Sequence, residues 1–451
     1  MTERKDNRGD KLLDIHITKM KKKNRRSFIK RFTAGLGTLS ITSISHRAQA
    51  EVLEDTLQQF QVSPLEKSVK DEKLWRQIKL AYTLNSNLLY LNSAGLCPQP
   101  KVVQDAVETY NRVANNGPTY YINRVLNQDI SFVRQKLAIL AGCSADEIAL
   151  QANTIMAMYH IIFGLDWKAG DEVILTRQDY SSVKIAYEQL AQRYGVKLVW
   201  LDLDLPSNDE SALVQKFAEA ITPRTKLMHI THMINWVGQI LPVKKICDIA
   251  RSKNIVTLVD GAQTFAHLDF KIPELGCDFY ATSLHKWLCA PFGTGFLYAR
   301  KEKMPLVYPL YGSPEPQGDN ITKFEHVGTI MRAPQYAVSN AIDFHLSIGS
   351  KLKERRLHYL KNYWVNALKD IPKLKINTAA GLDFSCGVAH FGIEGVDSQR
   401  LSHALLRKHR IHVLAVDIGK IKGIRVSPNV FTTTADLDRF ISVIEKMYGN
   451  K

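Results

Sequence analysis

Between Ile255 and Arg300 the chain reads IVTLVDGAQTFAHLDFKIPELGCDFYATSLHKWLCAPFGTGFLYAR. Asp260 ends an apolar, β-branched run, and Gln263 follows three residues later. Ser283, His285 and Lys286 come 23 to 26 residues after Asp260, ahead of the turn Gly293-Thr294-Gly295. A pyridoxal 5′-phosphate (PLP) site needs these parts: an amine to condense with the aldehyde, a carboxylate to keep the pyridine nitrogen protonated, and hydroxyl or imidazole donors for the phosphate. A lone lysine is most often a solvated surface charge, but Lys286 stands in an apolar stretch between His285 and Trp287. Partial burial there would depress its pKa and leave free amine.

Such groups must be brought together by regular elements, and the flanking sequence supplies them. Short apolar or β-branched runs at 147–151, 171–176, 197–203, 226–232, 255–260 and 292–300 read as strands, and stretches such as 181–194 and 242–253 read as helices. This alternation predicts an α/β fold with a parallel sheet covered by helices on both faces. Ligands of open α/β sheets sit outside the carboxyl ends of the strands, where Asp260 falls. A second helix–strand alternation from about 345 onward predicts a smaller C-terminal α/β domain. The expected layout is a leader over 1–50, a lead-in over 51–84, a large domain over 85–335 and a small domain over 336–451, with the boundary in the Pro/Gly-rich stretch 305–335.

Composition narrows the class. With 451 residues, 45% hydrophobic and 23% charged, the chain is neither disordered nor a polytopic membrane protein. The net charge of +16 suggests nucleic acid, but residues 1–50 hold 13 Lys/Arg against 4 Asp/Glu, so more than half of the excess lies in the leader. Helix-turn-helix and zinc-finger signatures are lacking, which sets nucleic acid aside. The six cysteines are scattered without a C-x-x-C pair, which argues against a disulfide framework or structural zinc. His229 and His232 would point to opposite faces of a strand and share no metal.

The Asp-x-Ala-Gln and Ser-x-His-Lys motifs (Asp260 to Gln263, Ser283 to Lys286) resemble those of the class V aminotransferases of PLP fold type I, and the resemblance extends over roughly residues 85–445. It implies a large domain with a mostly parallel mixed sheet, the cofactor PLP, Lys286 as the lysine that binds it and Asp260 as partner of its ring nitrogen. By the same resemblance Gln263 and Asn235 contact the ring's 3′ oxygen, Ser283 and His285 serve the phosphate or flank the lysine, and Tyr180 stacks on the ring. The phosphate motif of the family corresponds to Asn153-Thr154-Ile155-Met156-Ala157; Ile155 and Met156 depart from it, but backbone N–H donors at a helix start survive that change. Thr329, after Gly328, resembles the residue that reaches a phosphate in a neighbouring subunit, which implies a homodimer with shared sites. Arg425 matches the arginine that clamps a substrate carboxylate, with Asn92 on the substrate side.

The branch most resembled is the isopenicillin-N-epimerase-like one. Cysteine desulfurases carry a nucleophilic cysteine shortly before the matching arginine, whereas HVLAVDIGKIKGIR here has none, so a desulfurase is not expected. In the leader, Arg25-Arg26-Ser27-Phe28-Ile29-Lys30, a short apolar stretch and Ala48-Gln49-Ala50 resemble a twin-arginine (Tat) export signal cleaved after about Ala50. Met20 offers an alternative start. The expectation is a Tat-exported periplasmic enzyme, with no membrane anchor once mature, acting at Cα of an amino-acid moiety. The signal and fold together are similar to those of PLP enzymes that tailor pyoverdine-type siderophores. An aminotransferase, epimerase or C–S lyase on a free amino acid, or a catalytically silent protein of this fold, stays open. A nicotinamide oxidoreductase lacks its G-x-G-x-x-G.

Overall fold

The computed structural model describes residues 64–449, so the leader and the first part of the lead-in lie outside the described residues. Seven strands form the central sheet, in the spatial order Ile148–Gln151, Gly295–Ala299, Phe279–Ser283, Val256–Asp260, Thr225–Thr231, Glu172–Thr176 and Lys197–Leu201. Six run parallel; Gly295–Ala299 alone is antiparallel to both of its neighbours. Residues of the inner strands are buried throughout, as expected of a sheet covered on both faces. Their side chains alternate between two cores. Ile174, Val259 and Tyr280 pack on one side, while Val173, Leu175, Leu258, Phe279 and Ala281 pack on the other.

The first of these cores is closed by helices Lys101–Asn115, Ser131–Ala141 and Arg332–Ile348, the second by Thr154–Gly164 and Ser181–Tyr194. Beyond Gly349 an antiparallel sheet, ordered Leu374–Ile376, Ala389–Ile393, Ile421–Val426 and Leu414–Ile418, packs against helices Ser350–Leu368 and Thr434–Tyr448. Trp364, Phe391 and Phe440 meet there with ring centroids 5.9 to 6.2 Å apart. Leu89–Tyr90 pairs in parallel with Ile411–His412, and Asn92 bridges to Ser427, which lays the segment around Asn92 beside the strand that carries Arg425. Among the described residues no helix is long and apolar enough to cross a membrane.

Three expectations change in detail. The run 292–300 forms a strand, but its direction is reversed: the connection 284–294 is a tight loop, too short for the helical crossover that a parallel neighbour needs. Phe279–Ser283, absent from the predicted strands, lies between the Asp260 strand and this reversed one. The boundary expected after residue 335 falls inside helix Arg332–Ile348, whose Tyr336, Ala337, Ala341 and Ile342 belong to the large core. The lead-in from Leu65 to Leu80 folds as two short helices that pack with the C-terminal part, where the buried Arg356 donates to Val69 O at 3.0 Å and pairs with Glu72 at 2.5 Å.

Gly261 sets how closely the Asp260 strand approaches its neighbour, for a Cβ there would lie 1.9 Å from Tyr280 Cζ. Replacing Gly261 with Ala is expected to destabilise the fold by about 1–3 kcal/mol, read as a lower urea midpoint at unchanged slope.

Candidate active site at the carboxyl edge of the sheet

The parallel strands end along one edge, and those at the centre of the sheet deliver polar groups there. The strand Val256–Asp260 ends in Asp260, which is 5% exposed. Its Oδ1 accepts the Ala262 N–H at 2.9 Å, and no described residue donates to Oδ2. Burial pushes its carboxyl above the ordinary carboxylate range; His229, the Ala262 N–H and Lys286 oppose that rise, and Asp179 adds to it. The strand Phe279–Ser283 leads into the turn bearing Lys286, whose amine hydrogen-bonds to no described residue. Burial pulls that amine down to about 8, with Asp260 holding it up and Arg425 adding to the fall. A base of this strength near neutrality exchanges protons readily.

The Lys286 turn is held from behind. Gln263 accepts from Trp287 Nε1 at 2.9 Å and donates to Ala94 O at 2.8 Å. His267 stacks on Trp287 with centroids 3.6 Å apart. Its Nδ1 lies 2.7 Å from Gln263 O and its Nε2 accepts from Gly387 N, which assigns the proton to Nδ1. Gln263 therefore joins the lysine turn to the Asn92–Gly95 segment, with the second N–H of its amide left over for another acceptor.

At the next position along the edge, helix Thr154–Gly164 begins. Asn153 caps it, accepting from Met156 N at 2.9 Å, so its side chain serves the helix. Ser283 Oγ lies 2.7 Å from Thr154 Oγ1 and accepts from Thr154 N at 2.9 Å, which sets two hydroxyls at a helix N-terminus, suited to an anion. The antiparallel strand starts against this cap, because a Cβ on Gly295 would stand 2.9 Å from Asn153 Cα. His285 Nδ1 meets Thr294 O at 3.1 Å, and burial first, then Lys286, pulls the imidazole down to about 4. The neutral ring carries its proton on Nδ1, leaving Nε2 an acceptor that becomes a donor only once protonated.

Arg425 comes from the C-terminal sheet, 2% exposed. Its Nη1 donates to Asn235 O at 2.9 Å and its Nη2 to Asn92 Oδ1 at 2.8 Å, while the buried Nε has no partner among the described residues. Asn235 thus contributes its carbonyl to Arg425. Tyr180, 46% exposed ahead of helix Ser181–Tyr194, acts with Tyr90 on the Arg425 charge. Thr329 stands exposed on the loop before Arg332, outside the contacts that join the others.

A family model for class V aminotransferases matches residues 89–440. This chain belongs to that family. Isopenicillin N epimerase of Streptomyces clavuligerus is 27% identical over 393 residues, covering 83% of this chain and 98% of that one. A probable cysteine desulfurase of Xylella fastidiosa is 28% identical over 392 residues, covering 80% and 91%. Among solved structures, a cystine C–S lyase in complex with cysteine persulfide superposes with a TM-score of 0.73 at 22% identity, covering 81% of this chain and 99% of that one. The apo cysteine desulfurase of Thermococcus onnurineus also gives 0.73 at 22%, covering 82% and 97%. These likenesses place the fold among those of PLP fold type I. The family's cofactor is PLP, and the residues fit it: a free, partly buried amine, a buried carboxylate with an undonated oxygen, and paired hydroxyls at a helix start occupy one edge.

Several groups here carry no signal in the sequence. Asp179 accepts from Thr176 N, Thr176 Oγ1 and Thr231 Oγ1, tying two strand ends together. His229 Nδ1 lies 3.3 Å from Tyr187 Oη, and its charge bears on Asp260; His232 instead packs edge-on against Phe270. In cofactor-free protein the Lys286 amine is expected to titrate near 8. Asp260→Asn removes an attraction that holds its proton, so the midpoint falls, and Arg425→Gln removes a repulsion, so it rises. Competitive acetylation of Lys286 across pH measures both; a midpoint indifferent to Asp260→Asn would show that the two groups do not face each other.

Proposed function

We propose that this chain is a PLP-dependent enzyme that acts at Cα of an amino-acid moiety. The observation that carries this reading is Arg425. A buried guanidinium held only by the neutral oxygens of Asn235 and Asn92, with no carboxylate pairing with it among the described residues, is a charge in need of an anion. Its influence on Lys286 supports a place for that anion near the amine. A substrate α-carboxylate on Arg425 brings Cα toward Lys286, and a planar guanidinium fixes its orientation as a lysine would not.

When bound, PLP supplies an electron sink for the pair left at Cα. Asp260 would keep the ring nitrogen charged, and the Ser283–Thr154 hydroxyls with the helix start would hold the phosphate. Lys286 takes or returns the proton at Cα, for which a pKa of about 8 suits it. Tyr180, half exposed on the rim, flanks the space between Arg425 and solvent.

The finer reading rests on the leader. Its Arg25-Arg26-Ser27-Phe28-Ile29-Lys30 core supports Tat export and a periplasmic setting. That setting supports a peptidic siderophore as bearer of the amino-acid moiety, because an enzyme of central metabolism gains nothing from export. The exposed Thr329 supports a homodimer in which it serves the neighbouring site. The named relatives favour a second reading, epimerisation, transamination or C–S cleavage of a free amino acid. Desulfuration is disfavoured by the hairpin Leu414–Val426, which leads to Arg425 without a cysteine.

Cofactor-loaded protein in deuterated buffer, offered alanine, cysteine, glutamate and a peptide bearing a side-chain-linked glutamate, separates these by loss of the Cα proton in NMR spectra. Exchange is expected on the peptide, and Lys286→Ala is expected to reduce it at least about 100-fold. Turnover of free amino acids alone would sink the siderophore reading and leave the family chemistry; exchange unaltered by Lys286→Ala would overturn the site.

A further inference from the structure

Behind the Lys286 turn lies a cluster that the reaction does not use. Cys289 closes that turn: its N–H donates to Lys286 O at 3.1 Å, and it holds a φ of +57°, a left-handed conformation that favours glycine. Cys97 ends the segment that carries Asn92, and its N–H donates to His285 O at 3.1 Å. One amide nitrogen, Asn429 Nδ2, reaches both sulfurs, Cys97 Sγ at 3.0 Å and Cys289 Sγ at 3.8 Å. Both cysteines and Tyr82 belong to one buried cluster, so the two sulfurs that Asn429 reaches share a single enclosed space.

Beside them Lys353, 3% exposed, donates to Trp287 O and pairs with no carboxylate among the described residues. The groups that favour its charge are the two thiols. A buried ammonium without an anion is costly, and a thiolate in this cluster relieves it. The neighbouring Cys97, with Lys353, Tyr82 and Asn429 adding to it against burial, pulls the Cys289 thiol down.

We propose that Cys97 and Cys289 are a redox-active dithiol that a hydroperoxide closes to a disulfide, cross-linking the Lys286 turn to the Asn92 segment. The Cys289 thiolate attacks one peroxide oxygen; the O–O bond breaks, and the departing hydroxide takes a proton and leaves as water. The Cys97 sulfur then displaces the hydroxyl from the sulfenic acid. The S–S bond forms, the S–O bond breaks, and the hydroxyl leaves with the Cys97 proton as a second water. Two thiols lose two electrons and hydrogen peroxide becomes two waters. The oxidant must be small, because the cysteines are 1% and 2% exposed and Cys97 borders a cavity of about 610 Å³ between the 79–90 stretch and the C-terminal helix. The inference needs no cofactor and stands apart from the reading above.

The test treats the reduced full chain with a small excess of hydrogen peroxide, quenches with catalase, then denatures it in an alkylating agent for thiol counting and non-reducing peptide mass spectrometry. The expected result is loss of two of the six thiols, a linked Cys97–Cys289 peptide, and a melting temperature higher by about 5 °C that dithiothreitol reverses. Cys97→Ser and Cys289→Ser abolish link and shift, while Cys143→Ser keeps both. Native wild-type protein that retains six thiols, or loses them without that link, overturns the proposal whether or not the variants fold.

Discussion

The attraction between the partly buried Lys286 amine and the buried Asp260 carboxylate is the constraint on which the rest of the site depends. Burial alone pushes each toward neutrality, the amine downward and the acid upward; their proximity pulls each back. The balance leaves an amine of intermediate basicity and an acid able to oppose a positive ring nitrogen. Neither group could be tuned this way on a mobile surface loop. Asp260 is locked by its strand and by Ala262, and Lys286 by a turn that Gln263, His267 and Trp287 brace.

Arg425 extends this electrostatic arrangement across the molecule. Its strand belongs to the C-terminal sheet, while its acceptors come from the Asn92 segment and from the hairpin after the strand Thr225–Thr231. Three separate stretches of chain must therefore close around one guanidinium, and the parallel pairing of Leu89–Tyr90 with Ile411–His412 sets their register. Since the acceptors are neutral, the positive charge persists undiminished where a carboxylate can meet it.

Legibility in the sequence followed locality. Asp260 and Lys286 could be found because an apolar run ending in an acid, and a Ser-x-His-Lys cluster, are each written in a few consecutive residues. Sheet class was legible from runs such as EVILT and VTLVD, buried on both faces. Direction was not: the same pattern suits a strand of either sense, and only the short connection 284–294 reverses Gly295–Ala299. The relations of His229, Tyr187 and Asp179 to Asp260 were hidden because they join a neighbouring strand, a helix and a loop that meet only in the folded chain. Gln263 was legible from its motif, but its bridge from Trp287 to Ala94 was not, since nothing local brings those two residues to its amide.

The same geometry explains why the family's chemistry is written more plainly than the substrate. In the proposed reading the amine and guanidinium engage what all α-amino acids share, a carboxylate and the groups at Cα, while the acid and hydroxyls engage the cofactor, and the four are mostly buried. What distinguishes one amino-acid moiety from another must meet the rim, where Tyr180 is half exposed and Tyr90 stacks on His412 at 5.4 Å. Buried groups are held by many neighbours and leave recognisable patterns, whereas rim residues answer mainly to solvent and ligand. Relatives named as an epimerase and as desulfurases can therefore align with this chain at 27 to 28% identity over most of its length while differing in the bond they break. In the proposed reading the side chain's seat on the rim would select among those bonds, once Arg425 and Lys286 have fixed the carboxylate and the amine.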